Sequence, residues 1–335
     1  MRDEPVGLDE GRLIAALKEG WSVEARSHEY LPVGFGGYHW SVTDRRGADW
    51  FVKVDDLDAG DAGREDEFAR LRGSLATTLA LSRDAGLDFV VAPVPGGDGD
   101  VLRRLSPRYT VAVFPMIAGA AGEFGPHRPE HLAEMADLLA GLHSATPAVA
   151  HLAARADLRL PGRDRLTAAL ADLGRPWTDG PHGEAARELL TAHADRVRTW
   201  LADFDRLAGE VRRDPAPWVV THGEPHPGNV LRAPSRTWLL DWATVQIAPP
   251  ERDLWMLTTT FTGMLGEPPA TPGEDPLARY ESRTGRTPSP AAIALYGRWW
   301  PLADLAVYAD TLRRPHPDTE DTRATLTYLT LTLDS

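Results

Sequence analysis

The chain has 335 residues, 42% of them hydrophobic, which is enough to bury a full core and to build two lobes. Its formal net charge of -13 argues against a nucleic-acid or anionic-membrane partner and suits a cationic substrate, although an acidic surface also serves solubility alone. Cysteine is absent, excluding disulfides, thiol nucleophiles and Cys-ligated metals, and no long apolar run or leader pattern is found, so a cytoplasmic protein with no membrane span is expected.

Leu8, Leu13, Ile14 and Leu17 fall at helical spacing and predict a short amphipathic helix over residues 8–19. A glycine-rich turn follows between two strands, Leu31-Pro32-Val33-Gly34-Phe35-Gly36-Gly37-Tyr38-His39-Trp40. Glycines let backbone amides approach phosphates, and a tight hairpin needs the same residues. No Gly-x-x-x-x-Gly-Lys-Ser/Thr element occurs, which excludes a P-loop. Trp50-Phe51-Val52-Lys53-Val54 predicts a strand. Lysine occurs only at positions 18 and 53 in a chain that otherwise uses arginine, so Lys53 is either a compact ammonium set to reach phosphates or a guard on an edge strand.

The helix predicted over residues 64–83 carries the apolar stripe Phe68, Leu71, Leu75 and Leu79. Glu67 shares the side of Leu71 and Leu75 and is the expected partner of Lys53; Glu65 is the alternate, and a solvated charge is the plain reading of either. Phe89 to Val94 and Val101 to Leu105 predict a hairpin, and Tyr109 to Phe114 another strand, completing a small, largely antiparallel sheet. Pro115-Met116-Ile117-Ala118-Gly119 ends it. From Pro129 a helix opens the helical part of the chain, with His143 at its end as a cap or packing residue. Further helices are expected near 163–173 and 183–212, from Pro249-Pro250-Glu251-Arg252-Asp253 onward, and over 289–313 and 318–333, with Trp299 and Trp300 packed in the core.

The chemically densest run is Thr221-His222-Gly223-Glu224-Pro225-His226-Pro227-Gly228-Asn229, and Asp241 ends an apolar segment twelve residues after Asn229. Two prolines and two glycines forbid a helix, so the polar side chains project from a loop pinned between the short strands Trp218-Val219-Val220 and Trp238-Leu239-Leu240. A zinc protease needs its two histidines on a helix, and a zinc deaminase needs cysteines; neither condition is met. Phosphoryl transfer fits each part, with a loop carboxylate orienting a hydroxyl while an asparagine and a later aspartate hold magnesium.

His222-Gly223-Glu224-Pro225-His226-Pro227-Gly228-Asn229 with Asp241-Trp242 resembles the paired signature of the aminoglycoside phosphotransferase family, spectinomycin and hygromycin phosphotransferases included. The resemblance covers about residues 20–330. It implies an α+β, bilobal protein-kinase-like fold, with an N-terminal lobe of antiparallel sheet and one helix over residues 1–115 and a larger, mainly helical lobe over 116–335. It further implies an ATP- or GTP-dependent, Mg2+-using transfer of phosphate to a hydroxyl of a small, amine-bearing antibiotic; a sugar or amino-alcohol kinase would use the same residues. Glu224 would then be the catalytic carboxylate, Asn229 and Asp241 the magnesium ligands, and Lys53 the phosphate-holding cation fixed by Glu67. Gly34, Gly36 and Gly37, with the hinge residues Phe114, Met116 and Ile117, would shape the nucleotide pocket. His222 would tie the loop to neighbouring backbone, Asp253 would brace it unless it only stabilises a helix end, and Asp304 would be a substrate contact. One departure stands out: the family has Asp where this chain has Glu224. The extra methylene makes a nucleotide-binding protein without transferase activity the competing reading, since a displacement of about 1 Å can cost on the order of a hundredfold in rate.

Overall fold

The computed structural model describes residues 1–34, 36–58, 63–234, 236–266 and 274–334; Phe35 of the glycine turn lies outside them. The chain divides into two compact units. One comprises Met1–Phe124, Gly141–Arg155 and Val220–Ile247, and the other Gly125–Ala140, Ala156–Val219 and Ala248–Ser335. The first is therefore discontinuous, whereas the division expected from sequence is a single cut at 115/116. The loop carrying Glu224 and Asn229 folds with the N-terminal sheet.

In this unit helix α1 (Glu10–Trp21) precedes strands β1 (Ala25–Leu31), β2 (Tyr38–Asp44) and β3 (Asp49–Asp56), then helix α2 (Arg64–Arg83), β4 (Arg103–Arg104) and β5 (Tyr109–Pro115). The five strands form an antiparallel sheet in the order β1-β2-β3-β5-β4. Alternation along β3 decides its two faces. Val52 and Val54 join Trp40, Val42, Val111 and Val113 in a core closed by Leu13 and Leu17 of α1. The opposite face bears Phe51, Lys53 and Asp55 and is covered in part by Leu71 and Leu75 of α2, which pack on Val101, Leu102 and Ala112.

Phe89 to Val94 does not pair in the expected hairpin. Pro93 and Pro95 lack the N–H groups a ladder needs. Instead Val91 donates its amide to the Leu239 carbonyl and Leu239 donates to the Phe89 carbonyl, at 3.1 and 2.8 Å. A second sheet is built from β6 (Ala120–Ala121), β8 (Val230–Ala233) and β9 (Arg236–Leu239), in the order β6-β8-β9, while β7 (Val219–Thr221) pairs with β10 (Gln246–Ala248). Strand β8 was not foreseen.

Between β6 and β7 come α3 (Pro129–Ser144), α4 (Thr146–Val149), α5 (Arg163–Ala171), α6 (Gly183–Ala192) and α7 (Ala194–Arg213). The single helix expected over 183–212 is broken at His193, whose backbone leaves helical geometry at φ -111°, ψ 7°. After β10 follow α8 (Glu251–Leu254), α9 (Thr259–Met264), α10 (Pro276–Thr284), α11 (Pro290–Arg313) and α12 (Glu320–Asp334). Within the second unit α11 is the central helix, packed on α5, α6, α7 and α12. Arg279 and Arg283 of α10 both grip Asp137 of α3, at 2.6 and 2.9 Å. Among the described residues no helix is long and apolar enough to cross a membrane.

Candidate active site

All the polar residues singled out in the glycine turn, in β3, in the 221–229 loop and at position 241 fall in the first unit. His222 is fully buried and organises the loop. Its Nε2–H donates to the Leu240 carbonyl at 2.7 Å, and its Nδ1 accepts the Glu224 amide at 3.1 Å. One neutral ring thus ties the backbone before Asp241 to the backbone of Glu224, and it meets Trp242 in an edge-type contact with centroids 4.5 Å apart. The Asn229 Nδ2 donates to the Glu224 carbonyl at 3.0 Å, so the main chain of Glu224 is held at both its N–H and its C=O. Pro227 to Asn229 forms a single 3-10 turn, the only helical character in the loop. Gly223 has φ +102°, a conformation open to glycine and strained for other residues.

Asp241 also has a positive φ, +54°, which aspartate tolerates better than most side chains. The turn brings its Oδ1 to 2.9 Å from the Lys53 Nζ. Lost hydration alone would push the Asp241 carboxyl up, but the adjacent ammonium outweighs it and brings the pKa down to about 2. Lys53 shows the reverse balance: burial would lower its pKa, and the Asp241 and Asp55 carboxylates raise it well above the usual lysine value. The pair is ionised throughout the working pH range.

The expected Glu67–Lys53 pair is not made. Glu67 is taken by Arg70 one helical turn on, at 2.6 and 2.9 Å, and Arg70 also donates to the Ala243 carbonyl at 2.7 Å. Glu65, the alternate, pairs with Arg104. Lys53 has Asp55 as its second carboxylate, at 3.6 Å.

At the glycine turn Gly34 and Gly36 have φ of +71° and +92°. A β carbon on Gly37 would sit 3.0 Å from the Lys53 Cε, so glycine there lets the lysine pass beneath the turn. His39, which sequence reasoning missed, lies opposite Lys53 in the β2–β3 register and is buried. Its Nδ1–H donates to the Val33 carbonyl at 3.0 Å, a carbonyl that also accepts from the Met1 amino group at 3.3 Å. Burial first, and Lys53 second, push the His39 pKa down to about 4, so the ring is neutral. It stacks on Phe51, centroids 5.0 Å apart.

Of the residues expected to border the nucleotide base, Phe114 is half-buried and opposite Phe51, and Met116 is exposed with its amide committed to the Asp49 carbonyl. Pro115 has no amide to give, so Ile117 carries the next N–H along the chain. Asp253 and Asp304 belong to the second unit. Asp253 is fully buried on α8; Asp304 lies on α11 and hydrogen-bonds Tyr308, whose hydroxyl is pushed up by burial and by that carboxylate. Trp300, half-buried on the same helix, packs on Trp255 at 6.0 Å.

The profile of the APH family, described as the phosphotransferase enzyme family, matches residues 29–292. The chain belongs to this family. That membership makes this APH-family chain a small-molecule phosphotransferase. Protein StrN of Streptomyces griseus is 28% identical over 306 residues, covering 88% of this chain and 82% of StrN. Among solved structures, spectinomycin phosphotransferase APH(9)-Ia in complex with ADP and spectinomycin superposes with a TM-score of 0.72 at 15% identity, over 95% of this chain and 93% of that one. A microcompartment-associated aminopropanol kinase gives 0.62 at 19% identity, over 97% and 95%. At these identities the two structures speak for the fold, which is the kinase-like fold of the APH family with its antiparallel N-terminal sheet and mainly helical remainder.

Proposed function

We propose that this APH-family protein transfers the γ-phosphoryl group of ATP to a hydroxyl of a small, amine-bearing molecule of the aminoglycoside or aminocyclitol type. The observation that carries the reading is the meeting of three separate stretches in one unit: Lys53 of β3 lies 2.9 Å from Asp241, and His222 of the Glu224 loop is bonded to the Leu240 carbonyl next to Asp241 at 2.7 Å. Lys53 would hold the phosphates under the glycine turn, and the amides of Gly34, Gly36 and Gly37 would face them, consistent with the close approach that positive φ and the missing β carbons allow.

The donor set suits magnesium. The Asn229 nitrogen is committed to Glu224, leaving the amide oxygen as the ligand atom, and Asp241 adds an ionised carboxylate; hard oxygen donors shared with phosphates are what Mg2+ takes. Bound there, the ion would neutralise charge on the transferring phosphate. Glu224 would orient the acceptor hydroxyl and receive its proton as the oxygen–phosphorus bond forms and ADP departs. Asp253 would brace the loop, and Asp304 would take an amino group of the acceptor. Phe114, Met116 and Ile117 would border the base.

A kinase for a simple amino alcohol is the second reading, favoured by the likeness to the aminopropanol kinase. Thermal shift with MgCl2 and ATP or GTP, followed by nucleotide turnover over a panel of aminoglycosides, aminocyclitols and amino alcohols, tests both. Even a weak site registers, since stabilisation grows as RT ln(1 + [L]/Kd). A magnesium-dependent shift with turnover on one panel member supports the proposal and names the acceptor class; no shift with either nucleotide sinks it.

A further inference from the structure

We propose that Asp55, rather than Glu67, is the positioning residue that holds Lys53 in the nucleotide-bound protein, and that Glu67 acts through Arg70 on the Asp241 segment. The inference rests on the nucleotide site proposed above and deepens it.

Among the described residues two carboxylates touch Lys53, and they differ in what carries them. Asp241 is nearer, at 2.9 Å against 3.6 Å, but it stands on the turn after β9 with a side chain 40% exposed. Asp55 stands two residues from Lys53 on the same strand and the same face, and both side chains are only 12% exposed. Any movement of β3 carries Asp55 and Lys53 together. In the proposed catalytic arrangement Asp241 is shared with a divalent cation, so its hold on Lys53 weakens. Asp55 then remains the strand-borne carboxylate that fixes where the buried ammonium stands as it meets the phosphates.

Glu67 has no such freedom. It grips Arg70 through two parallel contacts of 2.6 and 2.9 Å, the bidentate fork that guanidinium and carboxylate favour. The remaining arm of Arg70 reaches the Ala243 carbonyl at 2.7 Å, two residues beyond Asp241. Helix α2 is thereby fastened to the segment that presents Asp241, and Glu67 orients the fastening group. Releasing Glu67 toward Lys53 would give up both contacts.

The test uses the full-length protein and double-mutant cycles. The dissociation constant for ATP is measured calorimetrically, and the MgCl2 concentration for half-maximal turnover is measured separately, with a thermal midpoint on every variant. Asp55→Asn should weaken ATP binding about tenfold, Asp55→Glu should recover part of that loss, and Asp55→Asn combined with Lys53→Met should bind no worse than Lys53→Met alone. Glu67→Gln should instead raise the MgCl2 requirement severalfold and be non-additive with Arg70→Lys. The proposal is overturned if Glu67→Gln couples to Lys53→Met in ATP affinity while Asp55→Asn is additive with it. Absence of ATP binding by the wild-type protein overturns the nucleotide site itself, and this inference with it; coupling through the wrong carboxylate in a protein that does bind ATP overturns this inference alone.

Discussion

At the residue scale Glu224 stands where the sequence resemblance leads one to expect aspartate. The main chain on either side of its side chain is held by His222 and Asn229, so the extra methylene cannot be absorbed by sliding the backbone. Glu224→Gln removes the carboxylate and should lower kcat by at least a hundredfold with ATP affinity unchanged; retention of turnover would remove Glu224 from the proton-accepting role. Glu224→Asp shortens the reach, and its kcat, higher or lower than wild type, tells whether the acceptor is seated for the longer side chain. His39 gives a prediction that needs no substrate. Its folded pKa of about 4 lies below the ordinary 6.5, so as pH falls the unfolded chain takes up the proton first. The stabilisation from keeping the ring neutral is full above pH 6.5 and is lost as pH falls from 6.5 to 4, on the order of 3 kcal/mol in all. In urea unfolding at pH 7.5 and pH 5, wild type should lose about 2 kcal/mol more than His39→Gln. Parallel losses would mean that the imidazole is not held neutral.

At the element scale the 221–229 loop is fixed from two sides, and one of them is the short segment containing β6. Gly122 donates its amide to the Pro227 carbonyl at 3.1 Å, and a β carbon on Gly122 would stand 2.8 Å from that oxygen. The obstructing atom is backbone, so Gly122→Ala must shift the segment or the 3-10 turn that contains Asn229. A loss of about 1–3 kcal/mol in urea unfolding is expected, with a larger proportional loss of kcat than of ATP affinity. Unchanged stability would show that the segment moves freely. What the sequence made legible follows the same logic of local against distant constraint. The 222–229 loop, the strand carrying Lys53 and the helix over 64–83 are written in residue spacing, proline and glycine, and each could be read without knowing its neighbours. The partner of Lys53 could not. It depends on alternation along β3, which puts Asp55 beside the lysine, and on a closer cation, Arg70, capturing Glu67 within α2. His39 was hidden for a related reason: only the β2–β3 register sets it opposite Lys53. Phe89 to Val94 has the composition of a ladder strand, yet with Pro93 inside it and Pro95 just beyond it bonds piecemeal, to Leu239 through Phe89 and Val91 and to Val113 through Val94.

At the scale of the whole molecule the dominant quantity is charge. A net charge of -13 sets up a field that draws cations and slows anions, and a kinase of amine-bearing acceptors must bring in one partner of each sign. The two should therefore respond oppositely to salt. Raising ionic strength from 0.02 to 0.3 M, at fixed free magnesium, shortens the screening length from roughly 20 Å to under about 6 Å and removes most of the long-range field. For a polycationic acceptor kcat/KM should fall severalfold over that range, while kcat/KM for ATP should stay level or rise. The near-field ion pair of Lys53 with Asp241 is within 2.9 Å and largely escapes such screening, so kcat itself should change little. If kcat/KM for the acceptor is flat in salt, the acidic surface serves solubility alone, and acceptor recognition rests on contacts at short range such as the one proposed for Asp304.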